Sequence, residues 1–121
     1  NFGNATVTDC NFDRATLTRA KLQNTDASRS SFTRANLGNV DLREAKLVGC
    51  DFGGAFLVGA RLEGAVLRTA DLRGANLKGA RGCTSDQLGL ARTDWSTILP
   101  NGQNGPFVRR SGAEKPAPMS A

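Results

Sequence analysis

Residues 70–79 read ADLRGANLKG, which is one five-residue unit written twice, with alanine first, leucine third and glycine fifth. The unit can be followed through the preceding chain without a change of frame. Of the 16 residues at every fifth position from Phe2 to Leu77, all except Ala27 are large and apolar. In the same frame, the position two residues earlier belongs to a series from Ala5 to Ala80, and alanine occupies 11 of the 16 positions of that series. A fixed internal period of this kind indicates a solenoid.

A period of five fits neither an α-helix, with about 3.6 residues per turn, nor a continuous strand, whose side chains alternate in sides. Small and large residues two apart point to the same side of a short extended segment. The chain must then turn, and glycine two positions after the large residue suits such a turn. These glycines are Gly49, Gly54, Gly59, Gly64, Gly74 and Gly79. Segments this short cannot bury an apolar side alone, so the coils must stack.

The units at residues 70–74 and 75–79 resemble the A(D/N)LXX units of the pentapeptide repeat family. The resemblance covers residues 1–82. It implies an all-β solenoid, a right-handed quadrilateral β-helix with four repeats in each coil. In that fold the central leucine or phenylalanine and the small residue two positions before it both point inward.

With four repeats of five in each coil, positions i and i+20 are expected to stack. Phe12, Phe32 and Phe52 fall at this spacing, and Leu72 completes the column. Sixteen repeats then give four coils, which stand roughly 19 Å tall at about 4.8 Å per layer.

The three cysteines, Cys10, Cys50 and Cys83, do not form a metal-binding pattern, because the chain has no CxxC motif and no histidine. Cys10 and Cys50 share an inward column but lie two layers apart, roughly 10 Å. A disulfide needs Cα atoms within about 7 Å. We therefore expect no Cys10–Cys50 bond, two small thiols in alanine positions, and neither a metal site nor a cofactor.

The repeat pattern ends at residue 82, and residues 83–102 are predicted to form a C-terminal cap. Thr84 and Gln87 have the spacing of a capping box, which predicts a short helix that runs to about Arg92. Leu88, Leu90 and Ala91 are expected to face the last coil. This segment resembles the helical cap that follows the repeats in cyanobacterial and thylakoid-lumen members of the family.

Bulky residues later in the cap are expected to plug the exposed end of the core. They are Trp95, Ile98 and Leu99, and for Trp95 the plug is preferred over a ligand-stacking or interface residue. Pro100 to Gly102 predict a turn. Residues 103–121 carry glycine, proline, serine and charges without a period, and we predict a mobile tail there.

The N-terminal end has no cap of this kind, because Phe2 is already in frame. Either upstream residues or a second molecule would cover the first coil. End-to-end dimers are known in the family, so the resemblance adds a homodimer through the N-terminal coil to the expected assemblies.

No feature of the chain predicts catalysis. The absence of histidine removes Ser-His-Asp and Cys-His arrangements, and there is no phosphate-binding glycine motif. No stretch approaches the roughly 20 apolar residues of a membrane span. The net charge of +5 and the pI near 9.7 are typical of a protein with anionic partners or of one with a basic tail.

The outward positions therefore supply the candidate binding residues. Phe56 and Val58 flank the inward residue of one repeat, and Val48 and Val66 lie on adjacent coils of the opposite side. Phe56 beside Val58 is the preferred contact and a second candidate dimer interface. A candidate anion patch consists of Arg14, Arg19, Arg29 and Arg34, at the corners of the first two coils.

Three functions are compatible with these features. The first is a protein-interaction or scaffold module with an unknown partner, in a thylakoid lumen or a cyanobacterial compartment by resemblance. The second is a DNA mimic that binds DNA gyrase or another type II topoisomerase, as some family members do, but such mimicry needs an acidic surface and this chain is basic. The third, binding of nucleic acid or a membrane surface through the arginines, is weakly supported because no aromatic residues are interleaved with them.

Overall fold

The computed structural model describes residues 3–116 and shows a stack of coils in which residue i pairs with residue i+20. Parallel bridges of this register run from Thr6–Asp26 at one end to Arg61–Arg81 at the other. Each five-residue repeat contributes one bridging residue to the next coil. Because a coil of 20 residues contains four repeats, it has four walls. Within residues 3–116 the pairing consists of isolated bridges separated by turns, with no longer strand. The repeats are too short for more than one bridging residue each.

Backbone hydrogen bonds connect each repeat to the coils before and after it. The Leu37 amide donates to the Phe56 carbonyl in the next coil at 2.7 Å, and the Asn36 amide donates to the Ala15 carbonyl in the previous coil at 2.9 Å. A third bond closes each turn, as between the Val40 amide and the Leu37 carbonyl at 3.1 Å. Stacking therefore provides hydrogen-bond partners for the backbone amides and carbonyls that a five-residue segment cannot pair within itself.

The inward columns form the core as the repeat pattern predicts. The rings of Phe12, Phe32 and Phe52 stack with centroids 5.0 and 5.1 Å apart and planes within 10° of parallel. This column confirms the period of four repeats per coil. Cys50 occupies an alanine position, is 1% exposed, and its thiol donates to the Ala27 carbonyl at 3.0 Å. Cys10 lies in the same column and is partly buried.

The fifth residue of each repeat turns the corner in a left-handed conformation. At Gly54, for example, φ is +66°, and at Asn39 it is +54°. Glycine and asparagine tolerate this region, whereas most other residues are disfavoured there. The glycines predicted at corners are thus explained, and the exceptions include Glu44, Thr69 and the arginines found at other corners.

After the fourth coil the chain forms helix α1, Ser85–Leu90, with the predicted capping box. The Gln87 amide Nε2 donates to the carbonyls of Leu62 and Ala65, both at 2.8 Å, while its Oε1 accepts from the Thr84 amide. The Ala65 carbonyl would otherwise face an absent next coil, whereas the Leu62 carbonyl also accepts from the Ala65 amide at 3.0 Å. The helix ends at Leu90, two positions before the predicted end at Arg92.

The chain after α1 runs beneath the last coil as a fifth, irregular turn. Arg92 bridges to Asp71 and Ile98 bridges to Asn76, so the register shifts from i+20 to i+21 and then i+22. The Thr97 hydroxyl, fully buried, donates to the Leu72 carbonyl at 2.8 Å and accepts from the Asp94 amide at 3.1 Å. Residues of this turn therefore satisfy the lower edge of the fourth coil.

Two apolar residues of this region do not face the core as expected. The prediction that Trp95 plugs the end of the core is wrong, because its side chain is 76% exposed. Leu90 is also exposed, at 52%. Leu88 and Leu99 are buried and Ile98 is partly buried. Because the register is no longer i+20, the repeat frame does not determine which of these side chains face the core.

The segment predicted as a mobile tail contacts the cap over part of its length. Ala113 is 2% exposed and its carbonyl accepts from the Asn101 amide, and the Phe107 amide donates to the Thr93 hydroxyl. Arg109 pairs with Asp86 on α1 at 2.9 Å. The division of the chain at residues 82 and 102 stays a prediction, and residues 117–121 lie outside the described residues.

The opposite end of the core is less covered. Val7, Phe12 and Leu17 of the first coil are only partly buried, although they occupy inward positions. Phe2 lies outside the described residues. Among residues 3–116, no helix is long and apolar enough to cross a lipid bilayer.

Candidate interaction surface

The stacked coils present four outer walls that meet at corner columns. Walls I, II, III and IV consist of residues 5–8, 10–13, 15–18 and 20–23, respectively, together with the residues 20, 40 and 60 positions later. Walls II and III meet at residues 14, 34, 54 and 74; walls III and IV meet at residues 19, 39, 59 and 79. Each outward side chain can therefore be assigned to a wall and a layer.

Phe56 lies near the middle of wall III and is 45% exposed. Its ring covers Gly38 in the coil above, because a Cβ atom placed on Gly38 would lie 3.5 Å from Cε2 of the ring. Val58, on the same wall and layer, is partly buried. Phe56 and Val58 thus lie on one wall in one layer, and their role as a contact stays a prediction.

Val48 and Val66 lie on wall I, opposite wall III. Val66 is 41% exposed and Val48 is partly buried. The solenoid separates these two residues from Phe56, so the four candidate interface residues belong to two different surfaces.

The four candidate arginines do not lie together but occupy three different corners. Arg29, at the corner of walls I and II, pairs with Asp9 in the coil above at 3.1 Å, and this hydrogen bond raises the pKa of Arg29. Arg14 and Arg34 lie at the corner of walls II and III, and Arg19 lies at the corner of walls III and IV. Arg29 therefore belongs to another corner, while the other three border wall III.

Each of these three arginines has a left-handed backbone, with φ of +61° at Arg14 and Arg19 and +57° at Arg34. An arginine here is disfavoured relative to glycine or asparagine by about 1 kcal/mol. The ion pairs within residues 3–116 involve other arginines, namely Arg29, Arg43, Arg73 and Arg109. No intramolecular ion pair in this part of the chain offsets the unfavourable backbone of the three.

Wall III differs from the other walls in its charge. With its two corner columns it comprises residues 14–19, 34–39, 54–59 and 74–79, which contain Arg14, Arg19, Arg34 and Lys78 and no aspartate or glutamate. Each of the other three walls carries carboxylates. Writing the sequence with one coil per line would have revealed this contrast, which repeat-by-repeat reading does not show.

The corners of wall III carry no side chains in its lower half. In the third and fourth coils they are all glycine, namely Gly54, Gly59, Gly74 and Gly79. No corner side chain therefore shields Phe56 and Val58 from a partner surface, and the exposed Lys78 lies one layer below them.

Trp95 lies at the end of the corner between walls II and III. Its turn connects Arg92, which bridges to wall II, with Ile98, which bridges to wall III. The neighbouring Ser96 Oγ would be 3.8 Å from a Cβ atom on Gly74. The exposed Trp95 thus lies at the cap end of the corner that wall III shares with wall II, a placement that the sequence did not reveal.

Several ionisable groups elsewhere are held in ion pairs or buried. Hydrogen bonds from Arg43 and Arg73 lower the pKa of Asp41 and Asp71 on walls IV and II. Burial raises the pKa of the Cys50 thiol to about 11 and that of Cys83 to about 12. Within residues 3–116, no three His, Cys, Asp or Glu side chains gather in a group that could hold a metal ion.

Comparison with known proteins identifies the class. The family profile described as pentapeptide repeats matches eight copies, over residues 1–34, 10–47 and 45–81. These matches span more than half of the chain, which therefore belongs to the pentapeptide repeat family. No curated protein sequence is significantly similar to it.

Several solved structures are similar to this chain. A pentapeptide repeat protein from the Arabidopsis thaliana thylakoid lumen is 28% identical with a TM-score of 0.65, over 65% of this chain and 55% of that protein. HetL, a pentapeptide repeat protein involved in heterocyst differentiation regulation in the cyanobacterium Nostoc, is 30% identical with a TM-score of 0.40, over 78% and 51%. Rfr23 from the cyanobacterium Cyanothece is 28% identical with a TM-score of 0.44, over 79% and 85%. The chain spans about half the length of the first two proteins.

Proposed function

We propose that this chain is a non-enzymatic protein-interaction module and that wall III is its binding surface. The observation that carries the proposal is Phe56, a large aromatic side chain held 45% exposed beside Val58. Aromatic residues at the centre of a rigid surface are frequent anchors of protein interfaces. The solenoid supplies rigidity because its repeats bond to the neighbouring coils.

The chemistry of the side chains supports binding over catalysis. The chain has no histidine. Cys50 and Cys83 are poor nucleophiles, because a raised pKa keeps a thiol protonated at neutral pH. Asp41 and Asp71 are each paired with the arginine two residues later in the same repeat, Arg43 and Arg73.

The finer architecture belongs to the same proposal. Residues 1–82 form a right-handed quadrilateral β-helix, and residues 83–102, with α1, cap its C-terminal end. Similarity to the Arabidopsis lumen protein supports this arrangement and supports a thylakoid lumen as the location. A cyanobacterial compartment stays the alternative location. A DNA mimic that binds gyrase is not supported, because the net charge is +5 and wall III carries no carboxylate.

Site-specific photocrosslinking tests the binding surface. A photoreactive phenylalanine analogue replaces Phe56 on wall III or, as the matched control, Val66 on wall I, which has similar exposure. Both variants are expressed in the source organism and irradiated. We expect a discrete adduct from position 56 and none from position 66. Adducts from position 66 alone, or from neither position, would refute wall III as the binding surface.

Self-association is separated from binding of another protein by light scattering over a dilution series. Phe56→Asn is compared with the unchanged chain, and Asn36 and Asn76 occupy the same column, so the substitution suits the fold. A dimer lost in Phe56→Asn would place a second copy on wall III. A dimer that persists in the variant would instead favour the N-terminal coil as the interface.

A further inference from the structure

We propose that the partner of wall III is a protein surface that is apolar at one end and acidic at the other. Its apolar end would lie over Phe56 and Trp95, and its carboxylates would lie over Arg14, Arg19 and Arg34. The proposal rests on wall III being the binding surface and adds the chemistry and the direction of the partner.

The charge of wall III is the first argument. Arg14, Arg19, Arg34 and Lys78 are its only charged residues, with its corners included. Asp13 and Asp51 lie beside this corner on wall II, and the charge of Arg14 contributes to lowering the pKa of Asp13. Wall III itself offers a partner positive charge only, and electrostatic complementarity favours an acidic surface there.

The backbone at the corners is the second argument. The repeat requires a left-handed residue there, and this chain uses asparagine at Asn4, Asn24 and Asn39 in equivalent corners. Arginine is therefore not needed to make the turn. Arg29 is accounted for by its pair with Asp9, whereas the arginines that border wall III have no such intramolecular pair within residues 3–116. An external carboxylate would supply the missing interaction.

The order of residues along the stack gives the direction. Arg14 and Arg19 lie in the first coil, Arg34 in the second and Phe56 in the third. Trp95 follows beneath the fourth coil. At about 4.8 Å per layer, Arg34 and Trp95 are roughly 14 Å apart along the stack. Hydrogen bonds from Ser96 lower the pKa of Asp94 beside Trp95. This negative charge disfavours acidic contacts near Trp95 and leaves them to the first two coils.

Two other occupants fit less well. If two copies bound through wall III, the four positive charges of one wall would face the same four charges of the other and repel them. Only a contact between wall III of one copy and a different wall of the other would avoid this repulsion. Nucleic acid would need basic residues along an extended path, whereas walls II and IV, on either side, carry Asp51, Asp71, Asp41 and Glu63. A protein with few carboxylates beside an apolar contact matches both the charge and the apolar surface.

A displayed library of random 16-residue peptides provides the test. Peptides are selected on the intact chain, and their affinities are then measured for two charge-matched triple variants. The first is Arg14→Asn, Arg19→Asn and Arg34→Asn, which places asparagine where other corners already have it. The second is Arg61→Asn, Arg68→Asn and Arg81→Asn, which removes the same charge from walls I and IV. Thermal unfolding followed by circular dichroism verifies that both variants fold.

We expect the selected peptides to combine clustered aspartate or glutamate with an apolar residue. Their affinity should fall at least tenfold for the first triple variant and less than twofold for the second. Phe56→Asn should also weaken binding at least tenfold. A photocrosslinker at the apolar residue of a peptide should label the coils near Phe56 and the cap, away from the first coil.

Each contrary result overturns a different part of the reasoning. Selected peptides that depend on Phe56 but lack acidic residues, or that lose equal affinity for both triple variants, would refute the acidic partner and leave the binding surface intact. Failure to enrich peptides that depend on Phe56 would refute the binding surface itself. Tight, salt-sensitive binding of a 20-nucleotide single-stranded DNA that only the first triple variant loses would replace the protein partner with nucleic acid. A dimer that Phe56→Asn dissociates would replace it with a second copy.

Discussion

The replacement Gln87→Glu tests how the lower edge of the solenoid is stabilised. Glutamate is a usual residue at the third position of a capping box, and its carboxylate could still accept from the Thr84 amide. If Gln87 acted only within the box, the negative charge near the start of α1 would stabilise the protein by about 0.5 kcal/mol. The structure predicts the opposite sign.

The magnitude follows from the two bonds made by Nε2. Gln87 donates to the carbonyls of Leu62 and Ala65, each at 2.8 Å and partly buried. Glutamate at pH 7 cannot donate, so both bonds are lost at about 1 kcal/mol each. After the gain of about 0.5 kcal/mol at the helix start, the net loss is about 1.5 kcal/mol. Placing a carboxylate beside two carbonyl oxygens adds to this loss.

Urea unfolding at equilibrium, followed by circular dichroism, measures the change in the free energy of unfolding. Thr84→Ala is the control, because it removes the N-cap hydroxyl and leaves Nε2 in place, at a cost of about 1 kcal/mol. The loss in Gln87→Glu should shrink as pH falls toward about 4 and be smallest below it, relative to the unchanged chain at the same pH. A protonated carboxyl regains one donor, so the folded state raises the pKa of this glutamate above its ordinary value. A variant as stable as the unchanged chain at pH 7 would refute the role of Nε2.

Three further experiments test other parts of the described structure. Thr97→Val should lower the free energy of unfolding by about 1–3 kcal/mol, because both hydrogen bonds of a buried hydroxyl are lost. The control is Thr18→Val, at an exposed threonine, which should change this free energy little. Arg34→Asn should raise the melting temperature measured by calorimetry, because asparagine tolerates the left-handed backbone better; a lower value would show that the arginine stabilises the free protein. At pH 8, Cys50 and Cys83 should react with a thiol reagent far more slowly than they do in urea, since burial raises their pKa to about 11 and about 12, and rapid reaction of either in the folded protein would contradict that burial.

The solenoid can be predicted from sequence because one rule repeats without interruption. A large residue at every fifth position determines which side is inward, and the spacing of Phe12, Phe32 and Phe52 indicates the coil length. The stacked rings confirm both. The left-handed corners follow from the same rule, because a chain that turns every fifth residue must leave the extended region once per repeat.

The region after residue 82 can be predicted only in part, because the rule ends there. The capping box is a local signal, so the sequence predicts Thr84 and Gln87 correctly. Which side of the next turn faces the core depends on the shift of register to i+21 and i+22, and no local pattern encodes it. Hydrophobicity alone therefore places Trp95 inside, which is wrong. The second role of Gln87 is also missed, since it depends on which carbonyls the helix lies beneath.

The candidate binding surface can be identified only when the coil length is combined with the identities of the outward residues. Inward positions and corner conformations are dictated by the fold, so they say little about a partner. The fold leaves the side chains of outward and corner positions free to vary. A side chain that the left-handed corner backbone disfavours is therefore informative about a partner. Arginine at Arg14, Arg19 and Arg34 occupies corners where asparagine or glycine would turn the chain more easily, and all three border the one wall without a carboxylate. The fold explains neither fact, whereas an acidic partner on that wall explains both.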